Sequence, residues 1–117
     1  MKHIEVAIVG AGVAGLAAAR ALDTQKYMIF EKSRGPGGRL ASKRIDGLRV
    51  DIGAQFFTAR EPRFQEVVSH AVDAGFVKRW RPRMGTFING HAMASPDFQE
   101  RFVGTPYMNA MGRYLAQ

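Results

Sequence analysis

A chain of 117 residues with 46% hydrophobic and 23% charged residues can bury one real core and is too short for two ordinary domains. The composition gives no sign of disorder or of a collagen-like repeat. With no cysteine at all, disulfides, thiolate metal sites, a cysteine nucleophile and any cysteinyl link to a cofactor are excluded. The net charge of +7 fits nucleic acid, a phosphorylated ligand, or a longer protein whose remainder balances it.

Ile4 to Val9 is a short β-branched run that predicts a strand buried on both faces. A glycine-rich turn follows, and then Ala14, Ala17, Ala18, Ala21 and Leu22 fall on one helical face, expected to lie against the sheet. Tyr27-Met28-Ile29-Phe30 is a second strand, completing a βαβ unit. The whole stretch from Val6 to Leu22 reads as strand, turn and helix rather than as a secretory signal, since Glu5 and three glycines interrupt it. No apolar run approaches the about 20 residues of a spanning helix, and the expected address is the cytoplasm.

Lys32 to Gly38 is a loop, Asp46-Gly47 marks a tight turn, and Leu48 to Ile52 alternates as a strand with one wet face. A helix is expected from Pro62, with an apolar stripe of Phe64, Val67, Val68, Ala71 and Val72 and a stop at Gly75. Phe76 to Arg81 and Thr86 to Met93 look extended, with Asn89-Gly90 signalling a hairpin. Ser95-Pro96 and Thr105-Pro106 each place a hydroxyl before a helix-compatible proline, so two short helices are expected, the second ending the chain.

The chemistry concentrates in Gly10-Ala11-Gly12-Val13-Ala14-Gly15. These residues follow a strand and open a helix, the context that gives the glycine spacing meaning. Gly10 permits the turn, Gly12 lets a pyrophosphate approach the backbone, and Gly15 lets the helix pack on the strand. Open N–H groups at the helix start then face the phosphates. Glu31 lies 21 residues after Gly10, followed by Lys32. Its carboxylate can accept from an adenosine ribose and repels a 2′-phosphate, which argues against NADP.

Five residues intervene between Glu31 and Gly37-Gly38-Arg39. This resembles the glutamate-spacer-Gly-Gly-Arg extension of the flavoprotein group that contains the amine oxidases. The resemblance implies FAD, with Gly38 admitting backbone to the cofactor and Arg39 near the pyrophosphate, a task that suits a guanidinium. Asp51 to Arg60 with Pro62-Arg63-Phe64, and Val103 to Ala110, resemble segments of renalase and its bacterial homologues. Tyr107 departs from that pattern, standing where glycine is usual.

The resemblance implies noncovalent FAD, hydride transfer from dihydro isomers of NAD(P), and dioxygen reduced to hydrogen peroxide. Ala54, Gln55 and Phe56 would face the flavin or its linker, and Gly53 would let backbone approach the ring; Phe57 reads as a core residue. No catalytic residue and no metal ligand is assigned: His3, His70 and His91 are scattered, and Glu61, Glu66, Asp97 and Glu100 read as solvated faces.

The expected architecture is therefore α/β. A Rossmann-type FAD-binding βαβ unit with its glycine-rich extension occupies residues 1–60, and residues 61–117 begin an interleaved antiparallel substrate domain. Such flavoproteins complete the FAD site later in the chain, so the sequence is expected to be incomplete and to hold FAD weakly by itself. Two other readings stay open: an amine oxidase or desaturase, and a nucleotide-binding fragment without catalysis. Lys78-Arg79-Trp80-Arg81-Pro82-Arg83 mixes base and aromatic as a single-strand platform does, but the expected partners are small molecules, neither nucleic acid nor membrane.

Overall fold

In the computed structural model residues 3–95 and 98–117 are described. The order is β1 (Val6–Val9), α1 (Val13–Arg20), β2 (Tyr27–Phe30), a 3-10 turn (Gly38–Leu40), β3 (Ser42–Ile45), β4 (Leu48–Asp51), α2 (Pro62–Asp73), β5 (Val77–Trp80), β6 (Gly85–Ile88), β7 (His91–Ala94), β8 (Arg101–Gly104) and α3 (Ala110–Leu115). β1 and β2 pair in parallel around α1, giving the expected βαβ unit, while β3–β4, β5–β8 and β6–β7 are antiparallel pairs.

Both tight turns carry two consecutive left-handed residues, Asp46-Gly47 at φ 49° and 82° and Asn89-Gly90 at φ 50° and 80°. That matches the twist of a two-residue hairpin. α2 begins at Pro62 as its sequence predicts, and the Glu61 carboxylate accepts the Phe64 N–H at 2.9 Å as an N-cap. Val68 and Ala71 bury its stripe, and Gly75 ends it at φ 83°.

One core joins both ends of the chain: Leu16 and Leu40 pack with Val68, Val77, Phe102, Met108, Met111 and Leu115. Met108 and Met111, each 1% exposed, contribute on the order of 1.5–3 kcal/mol apiece by burial. α3 rests on α1 and on the 3-10 turn, where Arg20 donates to the Tyr114 carbonyl and lies over its ring.

Five expectations need correction. β1 is covered on one face only: Val6 and Ile8 turn inward, whereas Ala7 and Val9 are exposed. The buried face of α1 is Leu16 with Ala19, not the alanine face, because a leucine contributes far more apolar area than the alanines around it. In β4 the apolar Leu48 and Val50 are exposed, so alternation marks the strand without a covered face. The helix start expected at Pro96 lies outside the described residues, and beyond it Arg101–Gly104 is strand, not helix. There β8 pairs in full register with β5 and buries Phe102, so tertiary pairing overrides the local signal. The last helix starts at Ala110 rather than at Pro106, and the two residues before it are held from elsewhere in the chain.

Those bonds link distant residues. The Asp51 carboxylate accepts the Met108 N–H at 3.0 Å and the Ser42 hydroxyl at 2.6 Å, and the Ser42 oxygen in turn accepts the Asn109 N–H at 3.4 Å. Tyr107 needs no left-handed backbone; its ring lies under the Arg49 guanidinium, 5.3 Å from the centroid.

Candidate functional site

The glycine loop turns where its sequence requires. Gly10 sits at φ 100°, and its N–H donates to the Phe30 carbonyl at 2.7 Å, tying the end of β1 to the end of β2. A side chain on Gly15 would overlap the Gly10 carbonyl oxygen. Gly12 caps α1 with extended backbone, and the Leu16 N–H is the first to close onto its carbonyl, at 3.0 Å. The N–H groups of Val13, Ala14 and Gly15 therefore have no intrahelical acceptor. The first turn holds no acidic residue, so the positive end of α1 is open to an external anion.

The Gly37-Gly38 pair lies directly on this loop. The Gly37 N–H donates to the Ala11 carbonyl at 2.8 Å, and Gly12 and Gly37 form a parallel bridge. Gly38, at φ 56°, would place a Cβ 3.0 Å from the Gly12 Cα. Two glycine backbones thus touch over the start of α1. Arg39 follows at the surface, and its carbonyl accepts the Ala54 N–H at 2.8 Å.

Glu31, half-buried at the end of β2, closes the other side. Its Oε2 accepts the Ala11 N–H at 2.6 Å; Oε1 accepts the Ser33 N–H at 2.8 Å and the Ser33 hydroxyl at 2.9 Å. The Ser33 and Ala11 backbone N–H groups, with the Ser33 hydroxyl and the Lys32 N–H, hold its pKa down at about 2. A carboxylate has about four lone-pair sites, and Oε2 has taken one donor, so it can still accept a hydroxyl. Beside it lies a hollow of about 250 Å³ lined by Ala11, Ile29, Glu31, Ser33, Pro36 and Ala116, among others. The Lys32 side chain is exposed.

Gly10, Ala11, Gly12, Val13, Ala14, Gly15, Glu31 and Gly38 are thus brought together. Ala54, Gln55 and Phe56 lie along a different stretch: Ala54 packs on the core, Gln55 is exposed, and the Phe56 ring meets Trp80 at 5.8 Å. A Cβ on Gly53 would overlap the Arg39 carbonyl oxygen. The glycine is accounted for by chain packing rather than by approach to a ring. Phe57 is a core residue as expected, stacked on Phe102 at 5.8 Å.

Sequence reasoning missed Ser33, which orients Glu31, and Gly112, where a Cβ would come within 2.7 Å of the Gly37 Cα. Neither has a local signature, although a serine two residues past an acidic strand end is a recognisable turn former.

Residues 8–71 match the model of the NAD(P)-binding Rossmann-like domain. The chain belongs to that family. Its relatives include a zeta-carotene-forming phytoene desaturase of Myxococcus xanthus, 48% identical over 50 residues, which are 41% of this chain and 10% of the desaturase. A putative flavin-containing monoamine oxidase of Mycobacterium tuberculosis is 44% identical over 55 residues, 45% of this chain and 12% of that protein. A solved putrescine oxidase superposes with a TM-score of 0.57 at 28% identity, over 80% of this chain and 22% of its own. This Rossmann-like chain therefore spans a small part of the length of the relatives it matches. Among the described residues no helix is long and apolar enough to cross a membrane.

Proposed function

We propose that this chain is the FAD-binding front part of an oxidoreductase. The observation that carries the reading is Glu31 holding the Ala11 N–H at 2.6 Å, which sets an ionised ribose acceptor beside the open start of α1. The glycines leave the start of α1 as bare backbone, where a Cβ on Gly38 would press to 3.0 Å from the Gly12 Cα, and bare backbone beside open N–H groups fits a pyrophosphate. The residues that would hold FAD are Gly10, Ala11, Gly12, Val13, Ala14 and Gly15 at the phosphates, Gly38 and Arg39 over them, and Glu31 with Lys32 at the adenosine end. Ala54, Gln55 and Phe56 would border the flavin. FAD bound there supplies a hydride acceptor, with dioxygen as the final oxidant.

The finer reading is renalase-like oxidation of dihydronicotinamide isomers, giving hydrogen peroxide. It is supported by the Gly53-Ala54-Gln55-Phe56-Phe57-Thr58-Ala59-Arg60 string. The desaturase and monoamine oxidase relatives favour a second reading, oxidation of an amine or of a polyene substrate. Anaerobic mixing of the flavin-loaded protein with each substrate class separates them. Dihydronicotinamide isomers should bleach the visible flavin band; bleaching by amines alone would replace the first reading with the second. The two-part division, with residues 1–60 binding FAD and 61–117 opening the substrate domain, is part of the same proposal.

A further inference from the structure

Away from the glycine loop, the end of β5 and the residues leading into β8 enclose a pocket of about 330 Å³. That is the lower end of the about 300–1,000 Å³ typical of small-molecule sites, room for one planar ring and one anionic group. Its aromatic walls are Trp80, 39% exposed, and Phe98, 96% exposed. Among the described residues its charged lining is Arg79, Arg81, Arg101 and the carboxylate of Glu100.

The three guanidiniums are not equivalent. Arg101 is 5% exposed, donates to the Gln99 carbonyl at 3.2 Å and lies 5.1 Å over the Phe56 ring. Arg79 is held by Glu100 at 3.3 Å. Arg81 has no carboxylate partner among the described residues. Arg101 is engaged below and Arg79 is paired at the side, whereas Arg81 meets no carboxylate among the described residues, so one guanidinium next to an aromatic wall is open to an anion. A single-strand platform needs successive aromatic rings along an open basic groove. This is a short hollow in which Arg79 is paired and Arg101 is engaged.

We propose that this pocket binds a phosphorylated planar ring of mononucleotide size, the ring against Trp80 and the phosphate on Arg81 and Arg79. Phe56 touches both Trp80 and Arg101, which makes the pocket a neighbour of the segment assigned to the flavin. Its role as the substrate's anion subsite rests on the flavoenzyme reading; the binding itself does not.

Trp80 is the only tryptophan, so its fluorescence reports the pocket directly. Nicotinamide mononucleotide should quench it saturably, and nicotinamide riboside, with the same ring but no phosphate, should bind about tenfold or more weakly. Arg81→Gln should weaken the mononucleotide by a similar factor. Glu100→Gln, which frees Arg79 from an exposed pair of small worth to stability, should tighten it about threefold. A gain of affinity cannot come from misfolding. Equal affinity for the riboside, unchanged binding in both variants, or tighter binding of octathymidylate than of the mononucleotide would overturn the proposal. FAD titrated in parallel should be indifferent to Arg81→Gln; mononucleotide binding without any FAD binding would uphold the pocket and sink the flavin reading.

Discussion

Gly112→Ala should destabilise the protein, although alanine is the better helix former. In a helix interior the substitution gains about 1 kcal/mol from propensity. Against that, the new Cβ would sit 2.7 Å from the Gly37 Cα, 3.2 Å from its nitrogen and 3.4 Å from the Pro36 carbonyl oxygen. Carbon atoms prefer about 3.5–4.0 Å, so relief requires a shift of about 1 Å, and such a gap forfeits a quarter to a half of each contact's dispersion well. The contacts at stake are those of Met111 and Leu115 with the core. Overpacking costs about 1–3 kcal/mol, and because the clash is with backbone the upper half of that range applies, leaving a net loss of about 1–2 kcal/mol. For a domain near this size that lowers Tm by about 4–8 °C. Thermal unfolding followed by circular dichroism measures it, with Gly35→Ala as the control. A Cβ on Gly35 meets nothing within 4 Å, and that variant should be neutral or slightly stabilised. If Gly112→Ala melts at or above Gly35→Ala, the seating of α3 on the glycine loop is refuted.

Asp51→Ala removes the acceptor for the Met108 N–H and the Ser42 hydroxyl, and should cost about 1 kcal/mol in chemical denaturation; an unchanged midpoint would deny that anchor. Glu31 is held at about 2 against a reference of 4.5. Its depressed value contributes stability that is fully present above the unfolded value and is lost as pH falls from about 4.5 toward about 2. The stability gap between wild type and Glu31→Gln should therefore close across that window, as read from urea midpoints at successive pH values; a gap independent of pH would contradict the assignment. Asn89→Val forces a β-branched residue to φ 50° and should loosen the β6–β7 hairpin, seen as faster amide exchange at Ile88 and His91 with little change at Val68.

The βαβ unit, α2 and the Asn89-Gly90 hairpin were legible because each is written in neighbouring residues: a β-branched run, a proline at a helix start, two turn formers in sequence. The site residues at the loop and Glu31 were legible for the same reason, since strand, turn and helix fix their relative positions within about 30 residues. What failed depends on partners far along the chain. The wrong face of α1 followed from counting alanines, when Leu16 joins Met111 and Leu115 in the core with Val13 packed against it. β3 carries no alternation in Ser42-Lys43-Arg44-Ile45 and exists through its register with β4. The residues leading into α3 are held by partners 57 and 67 positions earlier, and Gly112 matters because Pro36 and Gly37 lie against it.

The proposed FAD cradle consists of Glu31, the loop from Gly10 to Gly15 and the Gly37-Gly38 pair. Titration of the protein with FAD, followed by quenching of flavin fluorescence, tests it most directly. Saturable binding that prefers FAD to NADP and weakens about tenfold in Glu31→Gln, as expected for a lost charge-assisted acceptor, is the predicted result. FAD affinity unchanged by Glu31→Gln, or NADP bound more tightly than FAD, would contradict it.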